Sequence, residues 1–186
     1  ITVGGKALRE HFEAINHRNA IYYVEDIIKK EEPFSEWQIR NIHQLILKNI
    51  DDDNAGRYRQ QNVLISGATN TPPDYTLLND KMAHFVDWYN SESSQLHPIE
   101  RAAKVHADFV GIHPFIDGNG RTSRLLMNLE LMKAGYPPCV ITVENRLAYY
   151  EALDQWMAFG KTEAFNQLVA DAVLEGFKPY IVVLGI

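Results

Sequence analysis

Apolar residues recur at every third or fourth position along most of this 186-residue chain. That period places them on one face of a helix, so each recurring set predicts one amphipathic helix. The pattern therefore predicts an all-α fold, a bundle of helices packed through their apolar faces. The sets are Leu8, Phe12 and Ile15; Ile39, Ile42, Leu45 and Ile46; Met82, Phe85 and Tyr89; Ala102, Val105, Phe109 and Val110; Leu125, Leu129 and Met132; Tyr150, Leu153 and Met157; and Phe165, Leu168 and Ala172.

Capping residues mark where several of these helices begin and end. Ser35 followed by Gln38 forms a capping-box pattern before an apolar run. Pro98 suits the first turn of a helix. Gly135, followed by Pro137 and Pro138, is typical of a helix C-terminus.

Residues 58–75 break the helical period. The run from Val63 to Ile65 favours a strand, and a glycine, an asparagine and two prolines follow it. We predict a short β-hairpin or flap that projects from the otherwise helical domain.

Composition and charge limit the classes of function. A chain of this length, with 46% hydrophobic and 23% charged residues, fits one globular domain. The net charge of −6, without any lysine or arginine run longer than two, argues against a nucleic-acid surface. No apolar run approaches the roughly 18 residues of a membrane span. The single cysteine, Cys139, excludes an internal disulfide, favours a reducing, cytoplasmic compartment and is most simply a small buried hydrophobe.

The stretch HPFIDGNGRTSR, residues 113–124, concentrates polar chemistry between two predicted helices. The first helix ends near Ile112 and the second begins near Thr122, so residues 118–120 form a loop that leads into a helix N-terminus. Unpaired backbone N–H groups and the helix dipole make such a junction an anion site, and its glycines allow close approach of a phosphate.

The charged side chains of this stretch strengthen the phosphate interpretation. Arg121 and Arg124 lie on one helical turn, where two cations are unfavourable unless an anion joins them. Asp117 is suited to Mg²⁺, which takes one or two carboxylates together with substrate phosphates. His113, at the edge of the cradle, is the candidate general base. Together these residues indicate transfer of a phosphate-containing group to a hydroxyl.

These residues match the motif H-x-F-x-[D/E]-G-N-G-R-x-x-R, and the chain therefore resembles the Fic family. The opening ITVGGKALREHFEAINHRNA resembles the segment that follows an N-terminal inhibitory helix in such proteins, and YRQQNVLISGATNTPP resembles their target-binding flap. The resemblance implies a Fic-fold helical bundle over residues 1–186, with an active-site loop at 113–124. Because the chain starts at Ile1, we expect it to be a fragment that lacks the upstream helix.

The resemblance implies a protein adenylyltransferase that moves AMP from ATP to a Tyr, Thr or Ser hydroxyl. His113 would deprotonate the hydroxyl, and Asp117 would hold Mg²⁺ against the α- and β-phosphates. Phe115 would anchor the loop in the core. The phosphate-binding residues implied by the motif are Gly118, Asn119, Gly120, Arg121 and Arg124.

Nucleotide selectivity is less determined by the motif. Gly120 favours AMP transfer, since a lysine typically replaces it in the Doc-type branch that transfers the γ-phosphate, but transfer of other groups stays an alternative. Asn145, Tyr149 and Tyr150 stand where relatives place part of the adenine pocket, while packing alone would explain a tyrosine there equally well. Met157 stands near the place of an asparagine found in many relatives.

The flap resemblance concerns the acceptor. By the resemblance, the flap would pair by backbone with the target segment, which adds a strand to the flap and so positions its hydroxyl. The flap residues are Ile65, Ser66, Gly67, Ala68 and Thr69. Such pairing does not identify the target, which could be this protein itself. The implied partners are thus ATP and a hydroxyl-bearing protein or self, without nucleic acid or membrane, and a homodimer is left open.

Regulation and the remaining histidines complete the predictions. The inhibitory motif [S/T]-x-x-x-E-[G/N], whose glutamate pairs with the second motif arginine, has only the partial match Asp171-x-x-x-Glu175-Gly176, which a polar helix face explains better. A restored upstream helix would inhibit the enzyme and could support AMP removal. A non-catalytic ATP sensor is the rival hypothesis. His106 is expected in the core. The histidines expected on helix surfaces or ends are His11, His17, His43, His84 and His97.

Overall fold

A computed structural model of the protein describes residues 2–3 and 6–185. Within them the fold is a bundle of seven α-helices, which confirms the all-α prediction. No helix in this part of the chain combines the length and apolarity needed to cross a membrane. The helices are α1 (Leu8–Lys29), α2 (Glu36–Leu47), α3 (Leu78–Glu92), α4 (Pro98–Ile112), α5 (Asn119–Lys133), α6 (Arg146–Phe159) and α7 (Glu163–Leu184), with short 3₁₀ turns at Tyr75–Leu77 and Ser93–Gln95.

Helix α5 forms the centre of the bundle. Its Leu126 and Leu129 lie in a core cluster with α1 and α2, while its Met127 and Leu131 lie in a second cluster with α6 and α7. A helix that is apolar on nearly all sides must be enclosed by others. The N-terminus of this central helix is where the 113–124 stretch ends, so the core fixes that stretch.

The predicted helix boundaries agree with the structure except at α5. Ser35 caps α2 by accepting from the Gln38 N–H, and Pro98 occupies the first turn of α4. Gly135 has φ of +81° after the end of α5, as a glycine C-cap requires. However, α5 begins at Asn119 rather than near Thr122, because Gly118, with φ of +79°, makes the turn alone.

The first helix buries a different face from the predicted one. Leu8 and Ile15 are 39% and 46% exposed, whereas the buried residues of α1 are Asn16, Ala20, Val24 and Ile27. The apolar period predicted the helix correctly but not its rotation. Its first turns instead direct charged side chains toward the active-site stretch.

The predicted β-hairpin at residues 58–75 is absent from this fully described segment. Pro72 and Pro73 have no N–H with which to pair a returning strand, so the segment is an extended loop that turns at Gly67. The one antiparallel pair in the described residues lies elsewhere, between β1 (Thr2–Val3) and β2 (Lys6–Ala7), with Thr2 opposite Ala7.

Candidate functional site

The loop between α4 and α5 is folded by its own side chains. His113 ends α4 in the left-handed conformation, with φ of +51°. Phe115 is fully buried, and its backbone N–H and C=O are both bonded to the side-chain amide of Asn119, at 3.0 and 2.8 Å. The Asn119 amide therefore shapes the loop, and its place in the phosphate cradle stays a prediction.

A histidine from α2 holds the same loop from below. His43 stacks on Phe115 with ring centroids 3.5 Å apart. Its Nδ1 accepts the Gly56 N–H at 2.9 Å, so its proton is on Nε2, which donates to the Asp117 carbonyl at 2.9 Å. A Cβ on Gly118 would lie 3.1 Å from this nitrogen, which explains the glycine.

The expectation that His43 is a surface histidine was wrong, because it is completely buried. Burial lowers the pKa of His43 to about 4, so the ring is neutral. The sequence did contain a signal: His43 follows Ile39 by four residues and precedes Ile46 by three, which places it on the apolar face of the helix.

Four charged side chains form a closed ring over the loop. Arg9 donates to Asp117 Oδ2 at 2.8 Å and to Glu13 Oε1 at 3.2 Å. Arg121 completes the ring, 3.3 Å from Asp117 Oδ1 and 3.4 Å from Glu13 Oε1. We call these four residues the charge ring. Two side chains of α1 thus form ion pairs with the motif: Arg9 with Asp117, and Glu13 with Arg121.

The Asp117 carboxylate is ionised in this setting. Partial burial would raise its pKa, but the Gly118 N–H, Arg121 and Arg9 together lower it. Oδ1 accepts from Gly118 at 2.6 Å. Asp117 therefore offers a negative carboxylate directly beside the N-terminus of α5.

One ring nitrogen of His113, Nδ1, is hydrogen-bonded to the backbone, which leaves Nε2 to act as a base. Nδ1 lies 3.2 Å from the Val110 carbonyl, which can only accept, so Nδ1 is the donor and Nε2 carries the lone pair. Burial is the main cause that lowers the pKa of His113, and the nearby Arg59 acts in the same direction. The imidazole is therefore a neutral base at neutral pH.

A cavity of about 420 Å³ opens beside His113. Its walls come from the motif, from residues 65–68 and from α6. Of the residues expected to bind nucleotide or target, the cavity lining includes Ile65, Ser66, Gly67, Ala68, His113, Gly120, Arg124, Tyr149 and Tyr150. Asn145 is exposed at the start of α6 and is outside this lining.

Tyr149 and Tyr150 play different structural roles in that cavity. Tyr149 is buried, whereas Tyr150 is 53% exposed and has the Arg146 guanidinium 5.6 Å from its ring centre. Met157 also lines the cavity. The exposed ring of Tyr150 is therefore the one available to stack on a base.

The 58–75 loop is held by side chains rather than by strand pairing. Arg59, almost fully buried, donates to the carbonyls of His113, Gln61 and Pro73 at 2.9, 2.8 and 2.6 Å. The Thr69 N–H donates to Asp154 of α6 at 2.6 Å. Sequence reasoning missed Arg59 and Asp154, whose roles depend on contacts 54 and 85 residues away along the chain.

Comparisons with known proteins agree with the geometry. Residues 33–131, more than half of the chain, match the family model described as Fic/DOC family. The chain belongs to the Fic/DOC family. Two curated relatives are named protein adenylyltransferase Fic: one from Drosophila willistoni is 38% identical over 97% of this chain, and one from Nematostella vectensis is 43% identical over 83% of it.

A solved Fic structure supports the same assignment. A Fic-1 fragment from C. elegans superposes with a TM-score of 0.87 at 34% identity, covering all of this chain and 55% of that one. This Fic chain spans 36% of the length of each of the two curated relatives, so it corresponds to a part of them.

Two further predictions for the Fic chain concern groups outside the loop. Cys139 is buried, and burial raises the pKa of its thiol to about 12, as suits a packing role. Glu175 pairs with Lys178 at 2.6 Å, and Asp171 accepts from Gln167 at 2.8 Å. Both contacts stay within α7, which supports a polar helix face over an inhibitory motif.

Proposed function

We propose that this Fic chain is the catalytic part of a protein adenylyltransferase. It would transfer AMP from ATP to a Tyr, Thr or Ser hydroxyl of a target protein or of itself. The observation that carries the proposal is the neutral His113, with a free Nε2, at the edge of a cavity that also contains Gly120 and Arg124. A site that only binds ATP has no use for such a base.

The chemical step follows from the position of His113. The target hydroxyl oxygen attacks the α-phosphorus while Nε2 takes the hydroxyl proton, and the bond from the α-phosphorus to the bridging oxygen breaks to release pyrophosphate. The hydrogen bond from Nδ1 to Val110 orients the ring and stabilises its charged form once the proton arrives. General-base assistance of this kind contributes roughly 10²–10⁴-fold in rate.

The N-terminus of α5 would bind the phosphates. Gly120 and Gly118, whose N–H donates to Asp117 Oδ1 in this structure, would turn their backbone N–H groups to the anion beside Asn119, and Arg121 and Arg124 would supply positive charge. Arg121 Nη1 is buried and makes no hydrogen bond among the described residues; its ion pair with Glu13 Oε1, at 3.4 Å, is one that a phosphate oxygen would replace. Arg121 and Arg124 are thus proposed to contact the β- and γ-phosphates.

The residues also fit Mg²⁺ as the cofactor. Among the described residues, no three His, Cys, Asp or Glu side chains converge on one point, so an all-protein metal cage is not formed there. A single ionised carboxylate, Asp117, beside a phosphate site is the donor set that Mg²⁺ uses together with substrate oxygens. When bound, Mg²⁺ would neutralise charge on the phosphates.

The cavity would hold the nucleoside and the flap would hold the target. Tyr150 is the proposed stacking partner of the adenine, with Tyr149 beneath it. Residues 65–69 would present the target hydroxyl to His113, and the bond from Thr69 to Asp154 is one that a target backbone would join or replace.

The reducing, cytoplasmic compartment expected from the single cysteine stays a prediction.

Residues 1–186 are proposed to form one Fic domain of a longer protein. Arg124 also borders a second cavity, of about 290 Å³, on the α1 side of α5. A glutamate from an upstream helix could reach Arg124 there and inhibit AMP transfer, and in the full-length protein it could support AMP removal. Adding the upstream segment should therefore lower transfer, and unchanged activity would contradict this part of the proposal.

ATP labelled at either the α- or the γ-phosphate distinguishes the candidate reactions. The protein is incubated with Mg²⁺ and each label, alone and in a cell extract. Transfer of the α-label alone is the expected result. Transfer of the γ-label would indicate a kinase, and tight ATP binding without transfer of either label would indicate an ATP sensor.

A further inference from the structure

A fully buried histidine that the proposed chemistry does not use lies beneath the site. His106 is in the middle of α4 and, as expected, in the core. Its Nε2 lies 3.0 Å from the Tyr149 hydroxyl of α6 and 3.1 Å from the Ser123 hydroxyl of α5. Its ring centre is 5.0 Å from that of Phe165 in α7. One imidazole thus joins four helices.

The Ser123 and Tyr149 hydroxyls both lie between His106 and the proposed phosphate site. Ser123 donates to the Gly120 carbonyl at 3.0 Å, in the first turn of α5. Tyr149 and Arg124 line the same cavity beside His113. Burial raises the pKa of the Tyr149 phenol, while the charge of Arg124 and its interaction with the phenol lower that pKa. Nε2 of His106 is therefore one hydroxyl away from the glycine turn and one hydroxyl away from the second motif arginine.

Arg124 lies between two cavities. It lines the cavity of about 420 Å³ beside His113 and also the cavity of about 290 Å³ on the α1 side. A long arginine side chain loses rotamer entropy when it is held in one direction. A fixed hydroxyl such as that of Tyr149 reduces this loss on nucleotide binding, because the side chain is ordered beforehand.

The chemistry of His106 suits this role. Its Nδ1 has no hydrogen-bond partner among the described residues, so all of its polar contacts are made through Nε2. Burial lowers the pKa of His106 to about 3, and the positive charge of Arg124 acts in the same direction. Because Ser123 donates its proton to Gly120, its oxygen accepts from His106, so Nε2 carries the proton and the neutral ring contacts both hydroxyls without repelling the guanidinium.

We propose that His106 and Tyr149 are positioning residues that direct the Arg124 guanidinium toward the β- and γ-phosphates of the nucleotide, an inference that rests on the function proposed above. AMP lacks these phosphates. Loss of the positioning contacts should therefore weaken ATP binding more than AMP binding.

Calorimetric titration with ATP and with AMP tests the proposal without requiring any transfer. The variants are His106→Leu, Tyr149→Phe and Arg124→Ala. His106→Gln is the rescue variant, since a glutamine amide reaches the place of Nε2, while His106→Asn only reaches that of Nδ1. Val173→Ala removes buried apolar volume from the same core cluster and serves as the matched stability control.

We expect His106→Leu, His106→Asn and Tyr149→Phe to weaken ATP binding about tenfold and AMP binding less than about twofold. His106→Gln and Val173→Ala should preserve the preference for ATP. Each of the first three substitutions, combined with Arg124→Ala, should add little to the effect of Arg124→Ala, because both changes remove one coupled interaction.

Two contrary outcomes have different meanings. If Arg124→Ala lowers the preference for ATP but Tyr149→Phe and a folded His106 variant leave it unchanged, the positioning role is wrong and the proposed function stands. If Arg124→Ala itself leaves the ratio of ATP to AMP affinity unchanged, the phosphate orientation in the proposed function is wrong as well.

Discussion

The charge ring should lower the affinity of the site for Mg²⁺. Arg9 occupies Asp117 Oδ2 at 2.8 Å, and Asp117 is the proposed Mg²⁺ ligand. The two side chains are 57% and 45% exposed, so their ion pair is worth about 0.2–1 kcal/mol. Breaking it before Mg²⁺ binds should weaken binding about 1.4- to 5-fold.

We therefore expect Arg9→Ala to tighten the binding of Mg²⁺ by up to about fivefold. The assay is calorimetric titration of the protein with Mg²⁺ in the presence of saturating ATP, at low and at physiological salt. The effect should shrink at higher salt, because exposed charges are screened. Lys30→Ala, which breaks the Asp26–Lys30 pair at 2.6 Å at the C-terminal end of α1, is the control and should change nothing.

Weaker binding in the Arg9 variant would contradict competition between Arg9 and Mg²⁺ for Asp117. If Arg9→Ala weakens the binding of Mg²⁺ and ATP while Lys30→Ala does not, Arg9 assists the bound nucleotide rather than competing with it. Glu13→Gln provides an independent comparison, because it removes the charge that Arg9 and Arg121 share without touching Asp117 directly.

Three further predictions concern pH and packing. Because burial lowers the pKa of His113, the rate of AMP transfer should fall on the acid side only below the ordinary histidine pKa, and a fall centred above pH 7 would contradict a neutral base. The pKa of His43 is about 4 in the folded protein and near 6.5 in the unfolded chain, so the free energy of unfolding should be highest above pH 6.5 and should fall by about 3 kcal/mol as the pH drops to 4. Urea unfolding at several pH values measures this loss, and a free energy of unfolding that does not change with pH would contradict it. Phe115→Ala should cost about 3–5 kcal/mol in thermal unfolding, whereas the half-exposed Tyr150 tolerates alanine with a cost of less than about 1 kcal/mol.

The contrast between the motif and the charge ring shows what sequence could predict. The helical period, the caps at Ser35 and Pro98, and the HPFIDGNGRTSR motif are local features, and the helices and loop follow from them. The pairing of Arg9 with Asp117 joins residues 108 positions apart, and it depends on the rotation of α1, which the apolar period did not determine.

The flap and two histidines illustrate the same limit. The strand propensity of residues 63–65 predicted a hairpin, but two prolines removed the partner donors and Arg59 took over the role of holding the loop. His43 and His106 were weighed as single residues, although each acts through partners on other helices. For His43 the sequence does contain a signal, because its spacing from Ile39 and Ile46 places it on the apolar face of the helix.

The most direct test of the account is the effect of His113→Ala on catalysis and on binding, measured separately. Turnover of AMP transfer is followed by mass spectrometry of the modified protein at saturating Mg²⁺ and ATP, and the dissociation constant for ATP is measured by calorimetry. We predict that turnover falls by about 10²–10⁴-fold while the ATP dissociation constant changes less than about threefold. Turnover that survives the substitution would contradict the assignment of His113 as the base.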